Sequence, residues 1–131
     1  MQRLLLEDKW KKTISNQDLD IIEKVFNQTK TAEENEQIRI VPIRFAVNHR
    51  KDLLCITLIH NYAETNVDLT KVEINIRKND EILASHLFEE NRLQLDAKTS
   101  MPWTFIFPED VIGKHDISGE LSIDINYWKN D

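Results

Sequence analysis

Only two glycines occur in this 131-residue chain, Gly113 and Gly119, and both lie near its C-terminal end. Loops that cradle phosphates need glycine so that the backbone can approach closely. No Walker or dinucleotide fingerprint can therefore be written anywhere in the chain. Cys55 is the single cysteine, which excludes an intrachain disulfide. Its apolar surroundings suggest a small buried hydrophobe. It cannot help build a zinc site, and His49, His60, His86 and His115 show no pairing at metal-ligand spacing. No apolar run approaches the ~20 residues of a membrane span. The opening Leu4-Leu5-Leu6 is too short for a signal peptide and is followed by acids. Basic charge is in deficit: 17 Lys and Arg face 23 Asp and Glu, a formal charge of −6. That sign works against nucleic-acid binding, which draws affinity from phosphate neutralisation. The short basic runs at Lys9, Lys11, Lys12 and at His49-Arg50-Lys51 are flanked by acids and read as solvated turns.

What remains is an ordinary water-soluble composition, 40% apolar and 31% charged. Its length predicts one domain over residues 1–131. The Leu4–Leu6 triplet reads as a short strand that stops at the charged run ending at Lys12. One clear helix follows, over about 15–29. Ser15 is suited to its N-cap, with Asp18 as the acidic partner of a capping box. Leu19, Ile22, Val25 and Phe26, with Ile21 as a further candidate, form its apolar stripe. The acid-rich stretch Lys30 to Gln37 reads as a loop.

From Ile38 onward the period becomes two. Val41, Ile43, Phe45 and Val47 alternate, and Pro42 marks this strand as an edge or a bulge. Leu53 to His60 is nearly all apolar, as in a central strand covered on both faces. Val67 and Leu69 run in opposite phase to Val72, Ile74 and Ile76, which a bulge near Thr70 would reconcile. Asn79-Asp80 reads as a tight turn into Ile82 to Phe88. Leu93, Leu95 and Ala97 mark a further short strand, and Met101, Trp103, Phe105 and Phe107 another, bracketed by Pro102 and Pro108. Leu121, Ile123, Ile125 and Tyr127 close the pattern. The expected fold is mostly β: an immunoglobulin-like antiparallel β-sandwich of about seven strands, with one N-terminal amphipathic helix packed on a sheet.

Few groups suggest chemistry. His60, at the end of an apolar strand, reads as a histidine bonded to the adjacent turn. Cys55 and His60 are an odd number of residues apart and point to opposite faces of an uninterrupted strand. No nucleophile elbow is present. The carboxylates of Glu33-Glu34-Asn35-Glu36 and Glu89-Glu90 fall in loops, where solvation leaves them ordinary. Trp103, Phe105 and Phe107 read as core. Trp10 and Trp128, each set among charged or polar neighbours, are the candidates for a partner-binding surface.

Several stretches go beyond generic patterning: Met101-Pro102-Trp103-Thr104-Phe105-Ile106-Phe107-Pro108, Pro42-Ile43-Arg44, Asn48-His49, Leu53-Leu54 and Leu58-Ile59-His60-Asn61. With an N-terminal tryptophan, a capped helix and an acid-rich linker, they resemble the SLAP domain. That family is named for an S-layer assembly protein of the accessory Sec system in Gram-positive bacteria. The resemblance runs from about Leu4 to Trp128. It implies a non-enzymatic accessory role in exporting or assembling surface proteins, without a cofactor. The assembly protein is expected to carry the domain in duplicate, whereas this chain holds one copy.

The leading expectation is a cytoplasmic protein-interaction module, peripheral to the secretion machinery. Its partner would be a secretion component or a surface-protein precursor, with no nucleic acid involved. The alternative is an extracytoplasmic sandwich that binds cell-wall glycan through several exposed aromatic rings. An unpaired sheet edge offers a further route to a homodimer or a partner by strand addition. The Leu4–Leu6 segment is the candidate for covering that edge or swapping into a neighbour.

Overall fold

The structure, a computed structural model, describes residues 1–113 and 117–127. His115 and Trp128 lie outside the described residues. The chain is mostly β, as its alternating pattern anticipates. Its strands fall into sheets of four, three and two.

Two helices precede the main strands. The first, α1 (Asp8–Thr13), occupies the charged run expected to be irregular. Asp8 in its first turn and Lys11 and Lys12 in its last complement the helix dipole, which favours a helix over this short stretch. The second, α2 (Asn16–Thr29), starts where the capping pattern places it: the Ser15 hydroxyl accepts from the Asp18 backbone N–H. Ile22 is its buried residue, and Ile21 stands exposed. A third helix, α3 (Glu109–Ile112), follows Pro108 and had no counterpart in the expected elements. Its first N–H donates to Asp52 Oδ1 at 3.1 Å.

The four-stranded sheet has the order β1 (Arg3–Leu4), β8 (Thr99–Phe107), β3 (Leu53–Asn61), β2 (Ile38–Val47). β2 is its edge, and its register with β3 shifts between Pro42 and Arg44. Both roles anticipated for Pro42, edge and bulge, are thus present. The turn after β2 is held by Asn48 Oδ1, which accepts from the Arg50 and Asp52 N–H groups at 2.9 and 3.0 Å. The three-stranded sheet has the order β6 (Glu81–Glu89), β5 (Lys71–Lys78), β9 (Ser122–Tyr127). Asn79 and Asp80 join β5 to β6 with φ of 53° and 69°, the left-handed pair that suits a tight hairpin.

Two departures from expectation have local causes. Val67 and Val72 do not belong to one bulged strand. Val67 lies in β4 (Val67–Asp68), which pairs with β7 (Gln94–Leu95), whereas Val72 lies in β5. Between them Asp68 Oδ1 accepts from Thr70 N–H at 2.9 Å, a side-chain turn that ends β4. Among the described residues the strand pairings are antiparallel with one exception: β1 runs parallel to β8. The Leu4–Leu6 segment therefore covers an edge of its own sheet.

The core lies where β3, β8, β5 and β6 bring their apolar faces together. Leu53, Cys55 and Ile59 supply one face of β3, and Met101, Trp103, Phe105 and Phe107 one face of β8. Val72, Ile74 and Ile76 answer them from β5. The Phe88 ring of β6 meets Phe105 and Phe107 of β8 at 5.1 and 5.2 Å between centroids. Such tilted and edge-on aromatic pairs add to the stabilisation that apolar burial already provides. Leu58 and His60, on the other face of β3, are buried as well. That is why the strand reads as continuously apolar.

Two clefts around Trp10 and a buried histidine

His60 does not bond to the adjacent turn as expected. Its Nε2 lies 2.7 Å from Thr29 Oγ1 at the end of α2, and its Nδ1 lies 2.6 Å from Ser100 Oγ on β8. The neighbouring donors fix its tautomer. The Thr29 hydroxyl gives its own proton to Val25 C=O, so it can only accept from His60. The Ser100 hydroxyl accepts from Gln2 Nε2 and is left to donate to Nδ1. The imidazole is thus neutral, with its proton on Nε2. Burial, and secondarily the charge of Arg39, push its pKa down to about 4. Tyr62 stacks on the ring at 5.0 Å and donates its hydroxyl to Thr29 C=O. This network joins α2, β3, β8 and the N-terminal segment with every ring nitrogen satisfied, which marks His60 as a structural residue.

Cys55 is wholly buried on the opposite face of β3, where desolvation pushes its thiol up to about 12. A thiol held that high carries almost no thiolate at neutral pH. Among the described residues no cluster of three or more His, Cys, Asp or Glu side chains is placed to hold a metal ion. Nor is any described helix long and apolar enough to cross a membrane.

Two clefts of the surface adjoin Trp10 of α1, which stands between them. The larger, about 540 Å³, is bounded by Trp10 and Thr13 on one side, Phe88 and Arg92 on the other, and Thr104 and Ile106 of β8 between them. Arg92 lies over the Trp103 ring, 5.2 Å from its centroid. It pairs with Glu90 at 3.2 Å and Glu7 at 3.5 Å. The hydrogen bond from Arg92 lowers the Glu90 pKa, and the same bond, with the charge of Glu7, raises that of Arg92. The smaller cleft, about 280 Å³, lies between the two helices and strands β2 and β3. Its walls are Trp10, Ile14, Ile21, Ile22, Ile43 and Ile56, with Thr13, Asp18 and Arg44 as its polar groups.

Trp10, half-buried, therefore sits at a junction of two clefts, and Trp103, singled out as core, is 7% exposed and lies beneath a guanidinium. The Glu7–Arg92–Glu90 cluster was not foreseen. Glu7 and Arg92 are 85 positions apart, and no local spacing pattern links residues joined only by the fold.

Fold and surface together define a mostly-β chain whose N-terminal helices wall two clefts. The chain belongs to the SLAP domain family, whose model matches residues 4–126 and so nearly its whole length. No curated protein and no solved structure matches it.

Proposed function

We propose that this chain is a non-enzymatic protein-interaction module, an accessory in the export or assembly of surface proteins. Trp10 and its two clefts are its binding surface. The observation that carries this reading is the placement of Trp10, a half-buried ring that borders both an apolar cleft and a mixed one. Tryptophan is enriched among the residues that dominate binding energy, since it offers a large rigid area beside a polar handle. Family membership directs the reading toward secretion. We read the architecture as an immunoglobulin-like sandwich forming one domain, with α2 laid on the four-stranded sheet through Phe26 and Thr29 at His60. The working setting is the cytoplasm beside the secretion machinery.

The glycan-binding alternative needs several open aromatic faces. Trp103 is buried under Arg92, which leaves Trp10 as the one described tryptophan available. Affinity capture from host cells with the tagged chain, read by mass spectrometry, tests the proposal. A secretion component or surface-protein precursor is expected with the native chain and is lost with Trp10→Ala. Recovery of ribosomal and metabolic proteins alone, or equal recovery with both chains, would refute it.

A further inference from the structure

The larger cleft is floored by a strand edge, and that edge has a definite chemistry. β1 pairs with β8 only at Arg3–Thr99 and Leu4–Ser100. Arg3 N–H donates to Lys98 C=O and Leu5 N–H to Ser100 C=O, so the even-numbered residues of β8 direct their backbone groups away from β3. To extend this parallel ladder, residue 102 would have to donate to Leu5. It is Pro102, which has no N–H, and the pairing ends there. Beyond it Thr104 and Ile106 keep the same outward phase. Among the described residues their backbone N–H and C=O groups on that side meet no hydrogen-bond partner. Thr104 is half-buried and Ile106 is 48% exposed, and both line the cleft.

We infer that this edge takes an extended peptide from a partner protein as an added β-strand, laid against Thr104 and Ile106 in line with β1. The inference rests on the interaction-module reading and specifies how that module binds. The opening from Trp103 to Ile106 is about 13 Å long at ~3.3 Å per residue, room for one short strand. Backbone donors and acceptors at strand spacing select a polypeptide and do not depend on its sequence. Side chains alternate along a strand, so one set would meet Trp10 and Thr13 and the other Phe88 and Arg92. The rim carries the carboxylates of Glu7, Glu89 and Glu90 against the cations of Lys9 and Arg92. These three carboxylates outnumber the two cations, so the favoured peptide is apolar at alternate positions and carries a lysine or arginine.

The probe is a phage-displayed library of random nonapeptides. Enriched sequences are resynthesised, titrated calorimetrically, and followed by amide hydrogen exchange. The expected peptides show apolar alternation with a basic residue, and they slow exchange at Thr104 and Ile106 at least tenfold. Thr104→Pro removes one outward N–H in the phase where Pro102 is already accommodated, so the fold should hold, while binding weakens at least tenfold. Thr104→Val keeps the N–H and should bind as the native chain does. If the proline variant fails to fold, the exchange measurement on the native chain decides.

No enrichment, or binding that leaves exchange at Thr104 and Ile106 unchanged, would overturn strand addition. If such binding is still lost in Trp10→Ala, the interaction-module reading stands while this inference falls. A concentration-dependent dimer that protects the same two amides without peptide would assign the edge to a second copy and refute the partner strand.

Discussion

Acidification should destabilise this protein through one imidazole. His60 is fully buried and neutral, and its pKa is held down to about 4 from an ordinary 6.5. The unfolded chain, whose histidine titrates normally, binds a proton in this interval that the folded chain refuses. Stability is therefore complete above about pH 6.5 and is lost as pH falls toward 4. Linkage with these two values gives a loss of about 1.4 kcal/mol by pH 5.5 and about 3 kcal/mol by pH 4. For a chain of 131 residues the larger figure lowers Tm by about 10 °C. Carboxylates also titrate at the lower end of this range, so the informative quantity is a difference between two chains. His60→Gln can still donate to Thr29 and accept from Ser100, yet it does not titrate. Urea unfolding at pH 7, 5.5 and 4 should show the native chain losing stability faster than the variant by these amounts. Two-dimensional NMR of the ring should place the titration near pH 4. Parallel pH profiles for the two chains, or a ring titrating near 6.5, would refute the reasoning.

Two further outcomes follow from single residues. Cys55 should react with a thiol reagent such as dithionitrobenzoate only after denaturant is added, because burial keeps its thiol protonated up to about 12; rapid native-state labelling would contradict its placement. Asp80→Gly should raise stability by about 0.5 kcal/mol in urea titrations, since position 80 holds φ of 69° at the second place of a hairpin turn.

The sequence carried its periodic elements well and its contacts poorly. Alternation located the partners of the core, from Leu53 to Phe107, because each buried face repeats every second residue. Ser15 and Asp18 marked the start of α2 because capping is a contact within one turn. The stretches that carried the family resemblance are fold-forming: Pro42 to Arg44 is the bulge of β2, Asn48 holds a turn, and Met101 to Phe107 is core strand. Features that depend on distant segments left no trace. The partners of His60 come from residues 31 and 40 positions away, and the Arg92–Glu7 pair spans 85. The short helix α1 was hidden because six residues hold too few apolar positions to show a period. Trp10 was legible as an isolated aromatic among charges, but the clefts beside it were not.

The docking of the first residues onto β8 also sets an order in time. Arg3 meets its partner Thr99 across 96 positions of chain, and Gln2 reaches Ser100 across 98. At ~5–20 residues per second, a ribosome takes about 5–20 s to make that intervening chain. Once Asn61 has been made, β2 and β3 can pair, while the leucines behind Arg3 still have no strand to join. This segment thus docks only after β8, which is made later than β2 and β3. A nascent chain stalled before residue 99 should leave its amino-terminal residues open to protease, and one stalled well after Phe107 should not.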